Sequence, residues 1–124
     1  MRERREYTRL TTNSIPVRHR IGSALLGASS SSEDISAGGV SFSTVQKMDP
    51  GMVLNLDLHI PGASRSVSVQ GVVVWQTEND SLNSSRFTVG ARFSRIGDTD
   101  RRVIINYIRA VFRKKFYSRE HIDN

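Results

Sequence analysis

Between Met52 and Ile60 the chain reads MVLNLDLHI, with Met52, Leu54, Leu56, Leu58 and Ile60 at one parity and Asn55, Asp57 and His59 at the other. A period of two is what a half-buried strand requires, because successive side chains leave a pleated backbone on opposite faces. The same alternation predicts a strand within Ile15 to Leu26, where Ile15, Val17, His19 and Ile21 face one way and Arg18 and Arg20 the other. It predicts three more: through Val40, Phe42 and Thr44; through Val67, Val69, Gly71, Val73 and Trp75; and through Phe87, Val89, Ala91 and Phe93. Asp49-Pro50-Gly51 and Pro61-Gly62 are turn signals, the serine run Ser29 to Ser32 reads as a turn or short loop, and Glu78 to Ser85 as a polar turn. Near Asp98 the period changes. Ile104, Ile108, Val111 and Phe112 stand at i, i+4, i+7 and i+8, which predicts a helix over 98–117 with Asp98 or Thr99 as its cap. Arg113-Lys114-Lys115 then opposes the negative helix end, a sufficient structural reason for that charge run. Short strands at regular spacing followed by one helix predict a mainly all-β fold, a closed antiparallel sheet of barrel type with the helix packed on it.

Length and composition narrow the class. A chain of 124 residues supports one core, and 37% hydrophobic with 24% charged residues is ordinary for a globular domain. The expected division is an arm over 1–14, the barrel over 15–97, the helix over 98–117 and a tail over 118–124. There is no cysteine, and His19, His59 and His121 are scattered without ligand spacing, so neither a thiolate nor a metal site is expected. His19 shares parity with Ile15 and Val17 and reads as a partly buried, hydrogen-bonded histidine rather than a catalytic one. No apolar run approaches the ~20 residues of a membrane span, and Met1 to Arg9 is mostly charged, so the expected location is cytoplasmic. No nucleophile with its base and no converging carboxylates stand at a suggestive spacing, so neither an enzyme nor a cofactor is expected. The net charge of +6 is clustered at the two ends: residues 1–20 carry six arginines against two glutamates. Such clustering points to an anionic partner.

Two short stretches give that partner a chemistry. RREYTR, residues 4–9, contains Arg5 and Arg9 as R-x-x-x-R, preceded by Arg4. Asp34, Ser36 and Gly39 follow one strand later as D-x-S-x-x-G, with Gly38 and Gly39 free to take positive φ or admit close approach. Arginine offers a planar fork that pairs with phosphate and with the O6 and N7 edge of guanine, and it can stack on a base. A carboxylate such as Asp34 can accept from the guanine N1 and N2 hydrogens.

Both motifs in this order, together with Gly71-Val72-Val73-Val74-Trp75, Val89-Gly90-Ala91-Arg92-Phe93 and the closing helix, resemble the PilZ domain, the bacterial receptor module for cyclic di-GMP. The resemblance covers nearly the whole chain and implies a six-stranded antiparallel barrel with a C-terminal helix. It implies that Arg5, Arg9, Asp34, Ser36, Gly38 and Gly39 bind the ligand, and that Arg4 marks members taking an intercalated pair of cyclic di-GMP molecules. It also implies an N-terminal arm that orders on binding, an unidentified downstream protein as the reader of the signal, and a bacterial monomer or weak dimer. Trp75 reads first as a core or rim residue and second as a surface for a base, and Arg92 and Arg95 read as a solvated strand face. The competing expectations are a basic β-barrel that binds RNA or single-stranded DNA, against which the nine aromatics form no evident stacking platform, and a PilZ-like adaptor that binds no nucleotide.

Overall fold

The computed structural model describes residues 9–11, 15–21, 28–80 and 85–122. The strands are β1 (Leu10–Thr11), β2 (Pro16–Ile21), β3 (Ala28–Ser36), β4 (Gly39–Thr44), β5 (Val53–Leu58), β6 (Val67–Asp80) and β7 (Ser85–Arg95), followed by the helix α1 (Asp98–Ile122). All pairings are antiparallel, in the order β1-β3-β2-β5-β6-β7-β4, and β3 also pairs with β4. That last pairing returns the sheet on itself, so β2 to β7 form a ring of six and no strand among them is left with a free edge along its whole length. The seventh strand is the two-residue β1, which lies along β3 through Leu10↔Ile35 and Thr11↔Asp34.

The alternating positions fill the ring. Leu54, Leu56 and Leu58 of β5, Val17 of β2, Phe42 of β4 and Val89 of β7 are all essentially inaccessible, as expected where one strand face is withdrawn from water. The two turn signals act as such. Met52 N–H donates to the Asp49 carbonyl and Ala63 N–H to the Ile60 carbonyl, at 3.1 and 3.0 Å. Gly51 and Gly62 take φ of 96° and 87°, each following a proline as the third residue of a type II-like turn.

Several expectations are corrected. The serine run is not a loop: Ala28–Ser36 is a strand, with Pro16↔Ser31 and Val17↔Ser30 on one side and Ser32↔Phe42 and Ser36↔Gly39 on the other. Serine gives no hydropathy signal, and backbone pairing on both sides holds the segment where side-chain propensity does not. Leu10, expected in the arm, is 2% exposed and belongs to the core. The first expected strand is described only to Ile21, its remainder lying outside the described residues. The polar turn at Glu78 to Ser85 is narrower, because β6 runs to Asp80 and β7 starts at Ser85.

In α1 the first intrahelical bond is accepted by the Gly97 carbonyl from Arg101 N–H at 2.9 Å. Gly97 is therefore the cap position rather than Asp98 or Thr99, and Asp98 and Asp100 sit in the first turn, where the helix dipole favours them. Ile104 and Ile108 are buried and Val103, Tyr107 and Val111 pack beside them. Phe112 does not join that stripe and is 41% exposed. The helix expected over 98–117 runs to Ile122.

Candidate functional site

The outer face of the barrel carries the motif residues in ordered rows. Register places Thr11, Asp34, Ser41, Gly90 and Trp75 side by side across β1, β3, β4, β7 and β6. One pleat further along, Ser36, Gly39, Arg92, Val72 and Val53 form a second row across β3, β4, β7, β6 and β5. With strands about 4.8 Å apart, Asp34 and Trp75 stand roughly 14 Å from each other along the first row.

Asp34 stands near one end of the first row. Its Oδ2 lies 2.7 Å from Arg9 Nη2, and its Oδ1 accepts a 2.8 Å hydrogen bond from Ser41 Oγ. The backbone explains why Arg9 arrives there: Leu10, sunk in the core beside Ile35, pins the chain just behind it. The two motif halves, far apart in sequence, thus meet in one ion pair. Neither partner is exhausted, since a carboxylate offers about four lone-pair sites and a guanidinium five donors. Arg4 and Arg5 lie outside the described residues.

Ser36 shapes the β3–β4 hairpin. Its Oγ accepts from Gly38 N–H at 3.1 Å, which leaves its own O–H to donate elsewhere. The Gly38 carbonyl accepts from Phe93 N–H at 2.8 Å, tying the hairpin tip to β7. Neither Gly38 nor Gly39 takes a positive φ, contrary to one reason for expecting glycine there. What Gly39 provides is closeness: a Cβ on it would stand 2.4 Å from the Ala91 carbonyl oxygen, a backbone atom that cannot swing aside.

Trp75 reverses its expected side. By simple alternation it would share the interior with Val69 and Val73, yet it is 43% exposed. The cause is a bulge in β6: Val73 pairs with Ala91 but Trp75 pairs with Gly90, so Val74 is the extra residue and the next side chain is turned outward. The indole lies over Gly90, where a Cβ would come within 2.2 Å of ring atoms. The first row is therefore a shelf with a carboxylate and a guanidinium at one end, a small floor of Ser41 and Gly90, and an indole at the other.

Two members of this surface were not assigned to the site from sequence. Ser41 positions Asp34, and its only sequence signal is a polar residue between the apolar Val40 and Phe42. Arg92 stands beside Gly39 in register, exposed, with no acidic partner among the described residues. An arginine between Ala91 and Phe93 reads as a solvated face, and only the pairing with Gly39 brings it to the motif. Among the described residues no group of three or more His, Asp or Glu side chains could hold a metal ion, and no described helix is long and apolar enough to cross a membrane.

Comparison with known proteins fits this arrangement. The family model for the PilZ domain matches residues 3–110. A search of curated proteins by sequence returned no match. Among solved structures, the PilZ domain of YcgR from Escherichia coli, determined with cyclic di-GMP, aligns at TM-score 0.66 with 18% identity, covering 98% of this chain and 99% of that one. The Bacillus subtilis inhibitor of motility aligns at 0.72 with 24% identity over 90% of this chain and 53% of that one. The K. pneumonia MrkH complex with cyclic di-GMP aligns at 0.74 with 18% identity over 94% and 56%. The chain thus spans about half the length of the latter two proteins. At these identities the structures testify to the fold, while the family model, the ordered pair of motifs and their meeting at Arg9 and Asp34 agree with one another: the chain belongs to the PilZ domain family.

Proposed function

We propose that this domain is a receptor for cyclic di-GMP that works without chemistry, by changing the surface another protein reads. The observation that carries the reading is the Arg9–Asp34 ion pair, which unites the R-x-x-x-R and D-x-S-x-x-G motifs on one shelf. In this reading Asp34 accepts from the guanine N1 and N2 hydrogens with its remaining lone pairs. Arg9, with Arg5 from the preceding segment, takes phosphate or the O6 and N7 edge. Ser36 donates its free O–H, Gly38 and Gly39 keep the hairpin low enough for the ligand to approach, and Arg92 adds a charge beside them. Trp75 offers a surface to a base, since an exposed indole can stack and Gly90 leaves room for it over the strand.

Arg4 supports a finer statement, that two intercalated ligands occupy the site, because two stacked molecules bring four phosphates to one place. In this reading the engagement of the N-terminal arm, expected over 1–14, with the ligand through Arg4, Arg5 and Arg9 is the signal.

Trp75 is the chain's only tryptophan, so its emission reports on the shelf directly. Titration with cyclic di-GMP should change Trp75 fluorescence in the wild type and not in Asp34→Ala or Arg9→Ala. Unchanged emission and no calorimetric heat in the wild type would reject the reading. Calorimetry should give a ratio near two for the wild type and near one for Arg4→Ala; a ratio near one for both would reject the ligand pair.

A further inference from the structure

A third row continues the same outer face. Arg95, Gln70, Asn55 and Arg20 stand side by side across β7, β6, β5 and β2. This row lies one pleat, roughly 7 Å, beyond Val72 and Val53 on β6 and β5. Its composition depends on a second bulge. Phe93 pairs with Gly71 but Arg95 pairs with Gln70, so Ser94 is the extra residue on β7. Arg95, which would follow Phe93 into the interior, is turned to solvent beside Gln70. Ser94 Oγ donates to the Gln70 carbonyl at 3.1 Å and holds the bulge.

The row floors an open cleft of about 620 Å³ that Arg101 of α1 also lines. Three guanidiniums, those of Arg20, Arg95 and Arg101, line it against one carboxylate, Asp57, and that carboxylate already accepts from Ser68 Oγ at 2.8 Å. Arg20 and Arg95 have no ion-pair partner among the described residues. The lining is therefore cationic, with two carboxamides at its centre, and its volume is within the range of small-molecule sites. Guanidiniums suit phosphate, and carboxamides present donor and acceptor together, as a base edge does.

We infer that this cleft is a nucleotide subsite, taking a phosphate between Arg20 and Arg95 and a base edge against Gln70 and Asn55. Arg92, between the first row and the third on β7, makes it continuous with the motif shelf. The inference rests on the reading of the shelf as a cyclic dinucleotide site, and it places one phosphoguanosine unit of the bound ligand beyond the motif residues, over β5 and β6.

The test follows the side-chain amide resonances of Gln70 and Asn55 during titration with cyclic di-GMP and, separately, with GMP. Both amides should shift with cyclic di-GMP. Arg20→Ala/Arg95→Ala should abolish those shifts and weaken binding by about 10-fold, while Trp75 fluorescence still responds. Arg95→Glu alone should weaken it further, and an unchanged amide spectrum of each free variant outside the cleft shows that it is folded. If the wild type binds cyclic di-GMP with both amides still and both variants at full affinity, the subsite is overturned and the shelf stands. If the wild type binds no cyclic di-GMP, the shelf reading fails, and the GMP titration decides the cleft: shifts at Gln70 that the double variant loses support it, and their absence overturns it.

Discussion

Asp34 and His19 are polar residues on neighbouring strands of one barrel, β3 and β2, and they are held in opposite ways. Asp34 faces outward with both oxygens engaged, one by Arg9 and one by Ser41. His19 faces inward, 1% exposed, its ring 5.0 Å from that of Phe42, and neither ring nitrogen has a hydrogen-bond partner among the described residues. The expectation of a hydrogen-bonded histidine is thus overturned. Strand parity brought it inside, against the ring of Phe42. Burial pushes its pKa below 6.5 because the charged form loses its hydration. Outside, charges are cheap to keep and retain bonding capacity for a ligand; inside, one unpaired imidazole makes stability depend on pH. Binding and stability are therefore separable by face.

The sharpest break of that separation is Phe42→Ala. Phe42 is fully buried against His19, and its truncation should cost about 3–5 kcal/mol in urea unfolding. Below saturation of folding, ligand affinity measured on the folded fraction should be unchanged. Arg9→Ala should do the reverse. An ion pair this exposed contributes about 1 kcal/mol or less to stability, but the variant should lose roughly 100-fold in calorimetric affinity for cyclic di-GMP, since a charge-assisted contact and the orientation of Asp34 go together.

The two outer glycines sharpen the comparison further. Gly39→Ala sets a Cβ against the backbone oxygen of Ala91, whereas Gly90→Ala meets the indole of Trp75, an exposed side chain that can rotate away. Gly39→Ala should therefore lower stability by about 2 kcal/mol. Gly90→Ala should leave stability nearly unchanged and alter Trp75 emission in the free protein. Equal stability losses in denaturant titrations would refute the distinction.

The smallest effect is graded by pH. Above 6.5 His19 is neutral in both states and its contribution is flat. As pH falls below 6.5 the unfolded chain takes up the proton first, so stability declines until the depressed folded pKa is passed. The slope from this group cannot exceed about 1.4 kcal/mol per pH unit, the limit for one proton. Unfolding midpoints between pH 7.5 and 5.5 measure it, and His19→Leu should remove that part of the slope.

Much of the site was legible because it is local in sequence. Asp34, Ser36 and Gly39 are spaced so that the first two share a strand face, and the R-x-x-x-R stretch announces its chemistry by residue type alone. Ser41 and Arg92 were not legible as site members, because each matters only through its cross-strand neighbour, Asp34 for one and Gly39 for the other. The strand Ala28–Ser36 was missed for a related reason. Its serines carry no alternation, and the hydrogen bonds that make it a strand belong to β2 and β4.

By itself the sequence determined the elements with strong periodicity, the turns at Gly51 and Gly62, the helix from Asp98, and the two motifs that name the family. Only the tertiary structure decided which face Trp75 occupies and how Arg95 comes to be solvated. Both have inward parity within their own strands, and one extra residue in each case, Val74 and Ser94, turns them out. A strand repeats every two residues, so a single unpaired residue reverses every side chain beyond it. Where that residue falls is set by the register of two strands against each other, which neither strand encodes alone.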